Sequence, residues 1–83
     1  MIVNREGLCL DVDWHNRNNN GANVQVWECN GQPNQQWTLT EVGTLVNGDG
    51  LCLDGDFHNR HNNGGNVQGW DCNGHPWQQW RFD

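Results

Sequence analysis

The feature that most constrains this chain is its similarity to itself. Displacing the sequence by 43 positions lays Cys9 on Cys52, Asp11 on Asp54, His15 on His58, Trp27 on Trp70, Cys29 on Cys72 and Trp37 on Trp80, with no gap. The strings Gly-Leu-Cys-Leu-Asp, Asn-Val-Gln-x-Trp, Cys-Asn-Gly and Gln-Gln-Trp recur in the same order. The 83 residues are therefore two copies of one unit in a single domain, repeat one over 2–40 and repeat two over 45–83.

Each unit reads as short strands. In repeat one these are Ile2-Val3, Leu8 to Val12, Val24 to Glu28 and Trp37 to Leu39; in repeat two they are Leu45-Val46, Leu51 to Leu53, Val67 to Asp71 and Trp80 to Phe82. Between them stand Asn20-Gly21, Asn30-Gly31, Asn47-Gly48, Asn63-Gly64 and Asn73-Gly74, and Asn-Gly suits the positive φ angles of tight hairpin turns. No run has helical period, and asparagine disfavours helix because its side chain competes for nearby backbone groups. The fold class is all-β. A chain this short buries only about 60% of its unfolded surface. With hydrophobic residues at 34%, its core is expected to need a covalent staple or a partner.

The four motif blocks, in order and twice over, resemble the QxW repeat of the ricin B-type lectins along nearly the whole chain. That resemblance implies a β-trefoil and a carbohydrate-binding function. A β-trefoil holds three such units around a pseudo-threefold axis, and this sequence holds two. An isolated pair leaves open strand edges and an apolar flank, so completion in a homo-oligomer is expected, the alternative being a partial trefoil whose third repeat lies elsewhere. Three chains sharing two trefoils, or a symmetric dimer with a four-unit barrel, are the oligomeric forms.

Four cysteines without a CxxC pair favour disulfides over a zinc site and point to an oxidising, secreted or extracellular setting, although the first residues contain no signal-peptide core. Three pairings are possible; repeat equivalence together with the resemblance favours Cys9 to Cys29 and Cys52 to Cys72, each worth about 3 kcal/mol in the chain-entropy model.

In repeat one a carboxylate (Asp11), amides (Gln25, Asn30, Asn34, Gln35) and an indole (Trp27) form a mixture suited to a saccharide. Carboxylate and amides serve the hydroxyls, while a flat aromatic face covers the C–H face of a pyranose. The resemblance implies that Asp11 grips two adjacent hydroxyls, Trp27 stacks on the ring, Asn34 bonds the same hydroxyls and Gln35 orients Asp11. The corresponding residues of repeat two are Asp54, Gln68, Trp70, Asn73 and Gln78, with Trp77 in place of the expected amide. The sugar is expected to be of galactose or xylose type. Trp37 and Trp80 are expected in the core. Trp14 and Phe57 either cap the core or extend the sugar platform.

Other chemistries fit less well. Asp13 and Asp56 read as loop residues, and Asp11-Val-Asp13 lacks the glycine and final acidic ligand of a calcium loop, so neither metal nor cofactor is expected. His15 and His58 lie in Asn-rich turns, His61 and His75 have no equivalents, and there is no serine; adjacent carboxylates on a strand cannot clamp one glycosidic bond, so catalysis is not expected. A net charge of −6 with four basic residues, all arginine, gives nucleic acid no footprint, and no stretch approaches a membrane span. A structural or inhibitor-like protein-binding trefoil, an appended targeting module and a minimal protein made to test repeat assembly are the rival readings.

Overall fold

The computed structural model describes residues 1–82; Asp83, the last residue of repeat two, lies outside the described residues. It contains strands β1 (Leu8–Val12), β2 (Ala22–Glu28), β3 (Trp37–Leu39), β4 (Leu45–Asn47), β5 (Cys52–Gly55) and β6 (Val67–Trp70). Four single 3₁₀ turns, at Trp14–Asn16, Pro33–Gln35, Phe57–Asn59 and Pro76–Gln78, are the only helical segments among the described residues. No helix is long and apolar enough to cross a membrane. The strands form one antiparallel sheet in the order β1-β2-β6-β5-β4-β3.

The register of the two long hairpins positions the chemistry. In unit one Cys9 lies opposite Trp27 and Asp11 opposite Gln25; in unit two Cys52 lies opposite Trp70 and Asp54 opposite Gln68. Because side chains alternate along a strand, cysteine, aspartate, glutamine and tryptophan share one face in each hairpin. Disulfides Cys9–Cys29 and Cys52–Cys72 tie the hairpin ends, as repeat equivalence and the resemblance favoured. The units join through Ala22 opposite Gly69 and Asn23 opposite Gln68. The Asn20 side chain adds a clasp across that seam, donating to Asp71 Oδ2 at 3.0 Å and accepting from the Asp71 N–H at 2.7 Å.

The core is small, a cluster of Val12, Ala22 and Leu51 with Val24 and Trp37 packed against it. Trp37, packed against this cluster, and Trp80 are half-buried rather than enclosed. Each ties a strand instead: Trp37 Nε1 donates to Leu10 O at 3.1 Å and Trp80 Nε1 to Leu53 O at 3.0 Å.

Two expected strands do not form ladders. Ile2-Val3 contributes a bridge, Val3 to Cys9, and in Trp80 to Phe82 the Trp80 N–H donates to Gly43 O. Their equivalents by the 43-residue shift are β4 and β3, which pair with each other across the unit boundary. Segments 2–3 and 80–82 are thus the edges that would pair with the last and first strands of a further unit. The Asn-Gly turns also differ from expectation. No described asparagine has positive φ, so none makes the two-residue turn with both central residues in that region. Gly21, Gly31, Gly64 and Gly74 do have positive φ, whereas Gly48 does not. Gly48 is required for closeness instead: a Cβ there would stand 2.8 Å from Pro33 Cα.

Candidate functional site

In unit one the sheet register brings Gln25 to Asp11, and the Pro33–Gln35 turn delivers two more amides to the same carboxylate. Gln25 Nε2 donates to Asp11 Oδ1 at 3.2 Å, while Asn34 Nδ2 and Gln35 Nε2 donate to Oδ2 at 3.2 and 2.9 Å. Gln35, with no exposed surface, also donates to Glu28 O at 2.8 Å and accepts from the Asn30 N–H at 2.8 Å. It is the pin that fixes the turn and the end of β2 to Asp11 rather than a wall of the cavity. Asn34 bonds Val12 O at 2.8 Å through the same Nδ2, and its buried Oδ1 has no partner among the described residues. A buried acceptor left unpaired carries a desolvation cost that an incoming hydroxyl would relieve.

Above Asp11 lies a cavity of about 560 Å³ lined by Asp11, Asp13, Trp14, His15, Gln25, Trp27, Asn30, Gln32 and Asn34. Of the expected unit-one residues, all but Gln35 line it, and Trp27 stands 55% exposed at its side. The sequence leaves Trp14 open between core cap and sugar platform and gives Asp13 and His15 as loop residues, whereas all three line the cavity. The signal that places them is local. Asp13 caps the Trp14–Asn16 turn, accepting from the His15 N–H at 3.1 Å, and the turn folds Trp14 and His15 back over the end of β1. Asp56 does the same for the turn that carries Phe57.

Unit two repeats the frame but not the opening. Gln68 and Gln78 donate to Asp54 at 3.0 and 2.8 Å, and Gln78 again reaches a strand carbonyl, Asp71 O, at 2.9 Å. Its cavity, of about 280 Å³, is lined by Asp54, Phe57, His58, Gln68, Trp70, Asn73, His75 and Trp77. Trp77, at the position of Asn34, fills the difference: His75 stacks on it at 4.4 Å and Phe57 meets it edge to face at 4.9 Å. Asp54 therefore has two amide donors where Asp11 has three. No group of three or more His, Cys, Asp or Glu among the described residues is placed to hold a metal ion.

Residues 1–83 match the ricin-type β-trefoil lectin domain. Curated relatives include the ribosome-inactivating protein PMRIPt of Polygonatum multiflorum, 46% identical over 44 residues, and beta-galactoside-specific lectin 2 of Viscum album, 47% identical over 47 residues. Each match covers 53% of this chain and spans 7% and 8% of the respective relative. Among solved structures, the designed three-fold symmetric protein ThreeFoil superposes with a TM-score of 0.79 at 35% identity, over 90% of this chain and 56% of that one. The β-trefoil lectin of the Vibrio vulnificus hemolysin/cytolysin, solved with N-acetyl-D-lactosamine bound, gives 0.74 at 25% identity, over 92% of this chain and 54% of that one.

Proposed function

Because the chain belongs to the ricin-type β-trefoil lectin domain family, a carbohydrate-binding module, we propose that unit one binds a galactose-type or xylose-type sugar over Asp11. The observation that carries this reading is the combination at one opening: a carboxylate held by three amides, an unpaired Asn34 Oδ1 beside it and an exposed indole at the wall. Two adjacent hydroxyls donate to the Asp11 carboxylate and to Asn34 Oδ1. Gln25 and Asn30 supply further polar contacts, and Trp27 covers the apolar face of the ring. Gln35 acts through Asp11 by fixing its orientation. Recognition is by contact, with no bond made or broken. In unit two Asp54, Gln68, Trp70, Asn73 and Gln78 retain the frame, but Trp77 occupies the space of a ligand, so each chain offers one principal site.

A single shallow site binds weakly, and avidity comes from several sites on one surface. The segments 2–3 and 80–82, with Ile2, Val3 and Phe82 exposed, are the edges on which a further unit would sit, and we take a second copy of this chain to supply it. The two disulfides support the reading that it works in an oxidising, extracellular setting.

Calorimetric titration of the oxidised protein with lactose and with xylobiose tests the reading. One of the two is expected to bind, with the heat lost in Asp11→Ala and kept in Asp54→Ala. A folded protein that binds neither sugar, or binding that survives Asp11→Ala, would overturn it.

A further inference from the structure

Trp14 lines the unit-one cavity together with Trp27, yet it stands on a different element and is held by a different device. The Arg17 guanidinium lies 3.7 Å above the centroid of the Trp14 ring and covers one face. Arg17 Nη1 also donates to Trp14 O at 2.8 Å, and the Asp13 carboxylate accepts from the next N–H, that of His15, at 3.1 Å. The peptide that follows the indole is thereby pinned at both its carbonyl and its N–H while the ring remains 45% exposed. An exposed aromatic ring backed by a cation and fixed in its loop is a preorganised platform: little side-chain entropy remains to be lost when something lies on its open face.

Resting on the sugar-binding reading of Asp11, we infer that Trp14, positioned by Arg17, forms a second subsite, and that the ligand of unit one is an oligosaccharide of at least two pyranose rings. The terminal ring sits over Asp11 against Trp27, and the next ring lies on Trp14, with Gln32 and His15 at hand for its hydroxyls. The cavity volume of about 560 Å³ lies inside the ~300–1,000 Å³ range of small-molecule pockets and exceeds the 280 Å³ of the unit-two cavity. Unit two shows the counterexample. Its platform, Phe57, carries Arg60 at 4.0 Å in the same way, but Trp77 packs against it at 4.9 Å and fills the gap between platform and Asp54, so the extended site belongs to unit one alone.

The test compares D-galactose with lactose, and D-xylose with xylobiose, by titration of the disulfide-bonded protein, its Trp14→Ala and its Arg17→Ala variants. In the wild type the disaccharide of the recognised pair is expected to bind about tenfold tighter than its monosaccharide. Trp14→Ala should bring the disaccharide down to the monosaccharide's affinity while the monosaccharide stays within about twofold, and Arg17→Ala should shift the disaccharide alone in the same direction. Equal weakening of both sugars by Trp14→Ala, or equal affinities in the wild type, would overturn the second subsite and leave the Asp11 site standing. Absence of binding to all four sugars by the folded wild type would instead remove the sugar-binding reading, and the subsite with it. A circular-dichroism melt of each variant confirms that it is folded.

Discussion

Replacing Gln35 by leucine should cost the fold about 3 kcal/mol, a large share of the roughly 4–12 kcal/mol available to a domain of this length. The volume change is small, so the cost comes from the polar groups that Gln35 now satisfies, chiefly the three it bonds at 2.8–2.9 Å. The Asp11 carboxylate loses a buried 2.9 Å donor, and hydrogen bonds to charged groups contribute about 1.5–3 kcal/mol. Glu28 O and the Asn30 N–H each lose a half-buried partner at 2.8 Å, at about 0.5–1.5 kcal/mol apiece. The added apolar burial of leucine returns part of this. Gln78→Leu is the internal replicate, because Gln78 bonds Asp54, Asp71 O and the Asn73 N–H in the same way. Asp54 would then keep one amide donor where Asp11 keeps two, so Gln78→Leu should cost about 1 kcal/mol more. Urea unfolding of the oxidised protein reads both: at a slope of about 1.5 kcal/mol/M, the Gln35→Leu midpoint falls by about 2 M. A shift below about 0.3 M for either variant, or a larger cost for Gln35→Leu than for Gln78→Leu, would refute the view that these glutamines anchor the two carboxylates.

Trp77→Asn restores at unit two the amide that Asn34 provides in unit one and removes the ring that fills the smaller cavity; titration with the recognised disaccharide should then show close to two sites per chain, where the wild type shows one. The exposed apolar side chains of Ile2, Val3 and Phe82 lead this reading to expect self-association, so sedimentation at rising concentration should give a solution mass above the 9.5 kDa of one chain; a constant monomer mass would refute pairing with a second copy.

Much of this was legible because the sequence states its pattern twice. Asp11, Gln25 and Trp27 could be grouped from their residue types and the resemblance to the QxW repeat, while the register that sets them on one face of the hairpin came from the fold. What depended on three-dimensional neighbours could not be read. Strands at Ile2-Val3 and Trp80 to Phe82 have the right residues but lack the adjacent ladder that β3 and β4 give each other. Trp37 and Trp80 have core character but end half-buried, each spending its N–H on a strand carbonyl. Gly48 resembles a turn glycine, yet its role is set by Pro33, fifteen residues earlier in the chain and in another unit. The position of Trp14 turns on a capped 3₁₀ turn and an arginine clasp, neither of which has an apolar period to announce it.

The most direct measurement is an NMR titration that follows the side-chain indole N–H signals of the six tryptophans, assigned by substitution, as lactose or xylobiose is added. A sugar seated over Asp11 should move the signals of Trp27 and Trp14 in a saturable way and leave Trp37 and Trp80 in place, because their N–H groups are bonded to strand carbonyls away from the opening. Movement confined to Trp70 and Trp77, or no movement of any indole signal at saturating sugar, would contradict a binding site in unit one.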